Sequence, residues 1–234
     1  MPGGKIDVYL DFASLFSYVC FTDLEANKQK LAANGVTIEY HPVFLGGINV
    51  ASGNKPPWTL AAKAAYLSFD SARALRRVGL SNVQSPDDLM SAAMTVQPLR
   101  AIHYVKAHYP EPVFLAAFHA LLVKFWTPPN RKIADADVLR EVLGEMTETV
   151  GGGGRLFSPA EVDKIMDGRA AFKDSVKKET DEALAKGAFG APWIWATNAK
   201  GESEPFFGSD RFNHVYAFLD IPFQDITVLT PNKL

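Results

Sequence analysis

Residues 5–21, KIDVYLDFASLFSYVCF, decide the fold of this chain. Apolar side chains occupy every second position from Ile6 to Phe12, which is the period of a β-strand. Ser14 then suits the N-cap of a helix whose apolar positions continue to about Leu31. Residues 34–44, NGVTIEYHPVF, begin with a turn signal and continue as a β-branched strand. The opening therefore predicts a β-α-β unit, whose right-handed crossover favours a parallel strand pair.

The middle of the chain has helical spacing instead. From about Pro57 to Lys186, four long segments carry apolar residues three and four positions apart, and one of them is residues 136–150, ADVLREVLGEMTETV. Strands return only near the end, in PWIWATN and EPFFG. A last helix is predicted from Ser209, as its N-cap, to about Leu219.

This order of elements predicts an α/β fold in which a thioredoxin-like domain is interrupted by an inserted all-helical domain. We assign residues 1–56 and 187–234 to the thioredoxin-like domain and residues 57–186 to the insertion. Residues 151–154, GGGG, lie between two helical segments and lack the Lys-Ser/Thr of a phosphate-binding loop. We interpret them as a flexible connector.

Composition excludes several classes of function. The chain has 234 residues, 47% of them hydrophobic, and a formal net charge of −2, which argues against binding to nucleic acid or anionic membranes. No apolar run reaches the length of a membrane span, and the N-terminus leaves no room for a cleavable presequence. The five histidines show no metal-ligand spacing, so no metal is expected. Cys20 is the one cysteine and is interpreted as a small core residue in a protein of a reducing compartment.

Ser14 and Ser17 are separated by two residues, where a dithiol redox protein would carry two cysteines. Ser14 alone is explained as an N-cap, which contributes about 1 kcal/mol. The positive end of a helix can also hold an anion, so a thiolate brought by a ligand would be stabilised there by the dipole and the hydroxyl. A serine hydrolase is disfavoured because DFASLFS lacks a glycine elbow. A dithiol oxidoreductase is disfavoured because one cysteine cannot cycle an internal disulfide.

Three other segments carry residues that suit a small peptide ligand. Pro192 follows Ala191 directly before a strand; a cis bond there would turn the Ala191 backbone outward to pair with a peptide, although a plain tight turn fits as well. Asp210, after Ser209, could pair with an ammonium while nearby N–H groups bind a carboxylate. Asn54 and Lys63, taken alone, are a turn residue and a solvated lysine.

Taken together, these features resemble the kappa class of glutathione transferases and the related 2-hydroxychromene-2-carboxylate isomerases. The resemblance is carried by DFASLFSYVCF, SGNKPPW, KGAFGAPW and FGSDRF, and it runs nearly from end to end of the chain. It implies a thioredoxin-like domain with a DsbA-like helical insertion, usually in a homodimer. It also implies glutathione as substrate or cofactor, with its sulfur near Ser14.

The resemblance further implies which residues bind glutathione. Asn54 and Lys63 would contact it from the loop side, Ala191 would pair with its peptide backbone beside cis-Pro192, and Ser209 with Asp210 would hold its γ-glutamyl end. The full glutathione set is Ser14, Leu15, Phe16, Ser17, Asn54, Lys63, Ala191, Pro192, Ser209 and Asp210. Phe16, Trp58 and Gln97 are expected in the second-substrate pocket, where Leu15-Phe16 and Gln97-Pro98 depart from the pattern common in the family.

The leading hypothesis is a glutathione transferase in which Ser14 stabilises the thiolate for attack on a hydrophobic electrophile or reduction of a lipid-type hydroperoxide. The alternatives are a glutathione-dependent isomerase that adds and expels the thiol, and a non-catalytic module that binds glutathione or a peptide. Asn232-Lys233-Leu234 resembles the peroxisomal Ser-Lys-Leu address. A peroxisomal location is therefore expected, with cytoplasm or mitochondrion as alternatives.

Overall fold

A computed structural model describes residues 3–149 and 152–226 of the chain. The C-terminal Asn-Lys-Leu lies outside the described residues. The strands are β1 (Gly4–Leu10), β2 (Val36–Pro42), β3 (Thr147–Thr149), β4 (Gly152–Arg155), β5 (Trp193–Asn198) and β6 (Ser203–Phe207). The helices are α1 (Leu15–Ala33), α2 (Leu45–Ser52), α3 (Ala61–Arg77), α4 (Leu89–Ala92), α5 (Val96–His108), α6 (Glu111–Trp126), α7 (Ala136–Glu145), α8 (Pro159–Gly168), α9 (Lys173–Ala185) and α10 (Phe212–Phe218).

The predicted β-α-β opening is confirmed. β1 and β2 are parallel neighbours, with Gly4 opposite Val36 and Leu10 opposite Pro42. β5 lies antiparallel on the other side of β1, and β6 pairs with β5, so the four-stranded sheet has the order β2-β1-β5-β6. The helical segments α2 to α9 and the β3–β4 hairpin come between β2 and β5 in the chain. The structure therefore has the predicted thioredoxin-like, DsbA-like α/β fold.

The prediction of a continuous helix over residues 136–150 is wrong at its end. α7 stops at Glu145, and residues 147–149 form β3, which pairs antiparallel with β4. Gly152 to Gly154 lie in β4 and pair with β3 instead of forming a free connector, and Gly153 has φ of 94°, a conformation that side chains disfavour. The hydroxyls of Thr147 and Thr149 donate to backbone carbonyls within the hairpin at 2.7 and 2.8 Å.

The last helix also begins later than predicted. α10 starts at Phe212 with Arg211 as its cap residue, so Ser209 is not the N-cap. Gly208 has φ of 93°, which turns the chain before Ser209. The Ser209 carbonyl accepts a hydrogen bond from Arg77 Nη2 at 2.9 Å instead of starting the helical ladder.

The main apolar core joins the sheet to the helices. The Phe118 ring of α6 lies 4.8 Å from the Phe12 ring and 5.4 Å from the Phe21 ring of α1, centroid to centroid. Trp126, also in α6, donates from Nε1 to the carbonyl of Phe12 at 2.8 Å. These contacts fix the turn between β1 and α1 on the end of α6. The domain boundaries at residues 57 and 186 stay a prediction, because the core contains residues from both sides of them.

Within residues 3–149 and 152–226, the helices are all too short or too polar to cross a lipid bilayer. Cys20 is fully buried in α1, as predicted for a core residue.

Candidate active site

A cleft of about 1130 Å³ lies at the N-terminal end of α1. One wall is α3 with the loop that precedes it, and the other is formed by the chain before β5 and the turn after β6. Ten of the predicted site residues line it: Ser14, Leu15, Phe16, Asn54, Trp58, Lys63, Ala191, Pro192, Ser209 and Asp210. The fold therefore brings together residues that lie up to 196 positions apart in the sequence, from Ser14 to Asp210.

Ser14 caps α1, as predicted, and lies at the inner edge of this cleft. Its Oγ accepts a hydrogen bond from the amide of Ser17 at 3.1 Å. The same hydroxyl donates to the carbonyl of Ala191 at 2.8 Å. Ser14 is 7% exposed, so its hydroxyl is shielded from bulk water and directed to the loop that precedes β5.

The loop before β5 has the geometry that the family resemblance implied. The Ala191–Pro192 bond is cis, and the carbonyl of Pro192 accepts a hydrogen bond from the amide of Gly208 at 3.2 Å. Asn54 donates from Nδ2 to the Phe189 carbonyl at 2.6 Å, which ties the loop after α2 to this segment. A Cβ on Gly190 would lie 2.9 Å from the Phe207 ring, so a side chain there would crowd the cleft wall.

The turn after β6 places a buried serine beside an exposed acid. Ser209 is 3% exposed, and Asp210 forms an ion pair with Arg211. Gly208 has φ of 93°, which explains a glycine at this point of the turn, and a Cβ there would also lie 2.9 Å from the Asp210 carboxylate. Arg211 binds one oxygen of the Asp210 carboxylate, Oδ2.

Two predicted site residues lie outside the cleft. Ser17 is fully buried behind Ser14, and its Oγ accepts from the amide of Asp11 at 3.4 Å. It supports the turn from within and does not face the cleft. Gln97 lies near the start of α5, where its Oε1 accepts from Arg169 Nε at 3.0 Å. Gln97 binds the segment after α8 and does not line the described cleft, so its assignment to the second-substrate pocket stays a prediction.

Asp11 is a buried acid behind the site, and its role was not predicted from the sequence. It is fully buried beneath the start of α1, and burial raises its pKa to about 6 against the opposing effect of its hydrogen bonds. Its carboxylate accepts from the amide of Leu45 at 2.6 Å, the hydroxyl of Thr95 at 2.7 Å and the amide of Ala13 at 3.1 Å. The signal in the sequence was its position, one residue after β1 and among apolar residues, because a buried acid needs hydrogen-bond partners.

The charges around the cleft favour an anionic ligand. Its cationic side chains are Lys55, Lys63, Arg73, Arg77 and Arg211, and its acidic ones are Asp70 and Asp210. Lys63 is exposed on the first turn of α3, so its ammonium can move toward a ligand. A peptide with more carboxylates than amines fits this balance.

Comparison with known proteins agrees with this geometry. The family model described as DSBA-like thioredoxin domain matches residues 5–220. The chain is 40% identical to glutathione S-transferase kappa 2 of Caenorhabditis elegans over 235 residues, covering 96% of each chain. It is 27% identical to glutathione S-transferase kappa 1 of the same organism, covering 93% of this chain and 92% of that protein.

A solved structure shows the same fold. The 2-hydroxychromene-2-carboxylate isomerase structure superposes with a TM-score of 0.65 at 21% identity, covering 92% of this chain and 94% of that one. The resemblance derived from the motifs is thus confirmed. The chain belongs to the DsbA-like thioredoxin domain family and, within it, to the kappa class of glutathione S-transferases.

Proposed function

We propose that this protein transfers glutathione to hydrophobic electrophiles and that Ser14 stabilises the thiolate that attacks. The observation that carries the proposal is the position of the Ser14 hydroxyl. It lies at the N-terminus of a 19-residue helix, at the edge of the cleft, and its proton rests on the Ala191 carbonyl 2.8 Å away.

The thiolate would be held by the first turn of α1. The first amides of a helix have no intrahelical partner and carry positive potential. When a thiol ionises there, rotation of the Ser14 hydroxyl moves its hydrogen bond from the Ala191 carbonyl to the sulfur. Helix N-termini lower a thiol pKa of ~8.5 toward neutrality, and each pH unit corresponds to about 1.4 kcal/mol. In this proposal the ligand supplies the sulfur, because Ser14 and Ser17 stand where a dithiol redox protein would carry its two cysteines.

The rest of glutathione would lie along the two polar walls. Its cysteinyl backbone pairs with the Ala191 backbone beside the cis bond, as a strand-like addition to the sheet. Its γ-glutamyl end reaches Ser209 and Asp210, where the ligand ammonium replaces Arg211 on the Asp210 carboxylate. Asn54 and Lys63 lie on the opposite wall and would contact the remaining carboxylate.

The apolar side of the cleft would receive the second substrate. Leu15, Phe16 and Trp58 line it together with Leu67 and Val83. At about 1130 Å³ the cleft exceeds the ~300–1,000 Å³ of a site for one drug-sized ligand, so it has room for glutathione and an acceptor. The apolar side chains named above would hold the acceptor against the sulfur.

The proposed transfer uses one bond made and one bond broken. With 1-chloro-2,4-dinitrobenzene, the thiolate forms a carbon–sulfur bond, and chloride leaves with the carbon–chlorine electron pair. With a lipid-type hydroperoxide, the sulfur attacks the peroxide oxygen and the alcohol leaves. A second glutathione then displaces water from the sulfenic acid and yields glutathione disulfide.

The alternative is a glutathione-dependent isomerase, which would use the same thiolate and expel it after rearrangement. The likeness of fold to the isomerase structure is consistent with it. Incubating the protein and glutathione with the dinitrobenzene acceptor and, separately, with a 2-hydroxychromene-2-carboxylate separates the two. A stable conjugate is expected; a rearranged product with glutathione recovered would favour the isomerase. If glutathione binds but neither substrate is turned over, the result would favour a non-catalytic module that binds glutathione.

The homodimer and the peroxisomal location remain proposals that rest on the family resemblance and on the C-terminal tripeptide. Sedimentation equilibrium tests the first, and expression with and without residues 232–234 tests the second.

A further inference from the structure

Arg77 connects three segments around the cleft. It is the last residue of α3, and its Nη1 lies 2.6 Å from Oδ2 of Asp23 in α1. Its Nη2 donates to the carbonyl of Ser209 at 2.9 Å. The planar guanidinium can bind both acceptors at once because its donors form a rigid fork.

The helix that ends at Arg77 is not anchored in the core. None of the residues of α3 is buried, although the helix forms a wall of the cleft. The Asp23 carboxylate is held in α1, where Asn27 also donates to its Oδ1 at 3.1 Å. The Asp23 carboxylate therefore holds the guanidinium of Arg77 against α1. Arg77 in turn holds the turn that contains Ser209.

The Ser209 carbonyl belongs to the peptide that leads into Asp210. Ser209 is 3% exposed and lies before α10, so the hydrogen bond from Arg77 and the packing around Ser209 together constrain where this peptide lies. A shift of this carbonyl moves the Asp210 carboxylate and the Ser209 hydroxyl together.

We propose that Arg77 is a positioning residue for the γ-glutamyl end of glutathione, acting through the Ser209 carbonyl. The inference rests on the proposed function, since it concerns the same bound tripeptide. It specifies which part of the ligand depends on Arg77: the amino-acid end, and neither the sulfur nor the glycine end. The Asp23 contact is required because it fixes the direction of the guanidinium.

The test compares three thiols with the Arg77→Gln variant. Glutathione and γ-glutamylcysteine contain the γ-glutamyl group, and cysteinylglycine lacks it. Loss of a charged hydrogen bond predicts that KM for the first two thiols rises about tenfold, while kcat at saturation changes less than about twofold. The kcat/KM for cysteinylglycine with the dinitrobenzene acceptor should stay within about twofold of the wild-type value.

Matched variants guard against an effect of folding. Arg76→Gln changes the neighbouring arginine, which is exposed and lies outside the cleft lining, and should leave all three thiols unchanged. Arg77→Lys keeps a cation against Asp23 but cannot bind both acceptors. It should therefore raise KM for the two γ-glutamyl thiols and leave cysteinylglycine unchanged, and it replaces Arg77→Gln if that variant does not fold. Equal losses with all three thiols, or no loss with glutathione, overturn the inference. A wild-type protein that neither binds nor uses glutathione would instead overturn the proposed function.

Discussion

At the residue scale, Ser14 and Cys20 show how position decides chemistry. Both lie at or within the first two turns of α1, but Ser14 lies at the cleft and Cys20 faces the core with no exposed surface. Burial raises the pKa of the Cys20 thiol above its ordinary value, so this sulfur is a poor nucleophile. Among the described residues, the site therefore lacks a reactive sulfur of its own, as the proposed use of a ligand thiol requires.

Asp11 leads to the first prediction. In Asp11→Asn, the new amide NH₂ must face either the Leu45 amide or the Ala13 amide, which are both donors. The free energy of unfolding should fall by about 3 kcal/mol, because buried donors are left without an acceptor. Urea unfolding measures this.

The exposed acid Asp163, which pairs with Arg140 on the surface, provides the matched control. Asp163→Asn should change the free energy of unfolding by less than about 1 kcal/mol. If Asp11→Asn proves as mild as this control, the carboxylate is not the structural centre of the turn.

The sequence predicted residues whose role is local and missed those whose partners are distant. Ser14 is explained by a cap bond to the amide three residues later, which a motif can show. Asp11 binds Thr95, 84 positions away, and Arg77 binds Ser209, 132 positions away. Such pairs are created by the tertiary fold, and a single sequence does not show which distant residue is the partner.

At the element scale, a buried ion network ties α9 to the sheet. His41 of β2 binds Asp7 of β1 through Nε2 at 2.8 Å, and its Nδ1 lies 3.4 Å from a Glu179 oxygen in α9. The longer contact is an ion pair rather than a hydrogen bond. Burial opposes the charged imidazole, but the hydrogen bond to Asp7 and the negative charge of Glu179 outweigh burial and raise the pKa of His41, although Lys106 lies nearby.

This network predicts a window of pH for stability. The His41 contribution is complete below the unfolded value of ~6.5 and is lost as the pH rises through its raised folded pKa. Against burial, the bonds from His41 and Lys5 lower the pKa of Asp7 to about 2, so its contribution is lost only as the pH falls toward that value. Stability from these groups is therefore greatest between about pH 4.5 and 6.5.

His41→Gln tests this window. At pH 6 the variant should be less stable than the wild type by about 3 kcal/mol, and the difference should shrink as the pH is raised to 9. Thermal unfolding across that range measures it. His108→Gln, which changes an exposed histidine of α5, is the matched control and should change stability by less than about 1 kcal/mol at pH 6. A His41→Gln deficit that grows with pH would mean that the imidazole is neutral when folded.

Elements were predicted well where one period dominates. The alternation in β1 and the cap at Ser14 gave the β-α-β unit, and long apolar helices such as α6 were recognised. The β3–β4 hairpin was missed because its strands have three and four residues, too few to show a period. The start of α10 was misplaced because a Ser-Asp pair is typical of a cap, while Arg77 holds Ser209 outside the helix.

At the scale of the whole molecule, the cleft joins parts that meet only in the folded state. A ligand that spans α1, α3 and the chain before β5 should stabilise all of them together. Glutathione at a hundredfold its Kd should add about 2.7 kcal/mol to the free energy of unfolding. For a chain of this size that raises Tm by about 5–10 °C.

Differential scanning calorimetry with and without glutathione measures this shift. Glycine at the same concentration is the control, since it carries both charges of an amino acid but no thiol or peptide. An equal shift with glycine, or none with glutathione, would contradict binding across the cleft.

The most direct test of the account is the ionisation of glutathione on the protein, followed by the ultraviolet absorbance of its thiolate as the pH is varied. We expect the bound thiol to have a pKa near neutrality in the wild type. In Ser14→Ala it should titrate about one pH unit higher, because a hydrogen bond to the charged sulfur is lost. The same titration in both proteins would contradict the claim that the Ser14 hydroxyl stabilises the thiolate.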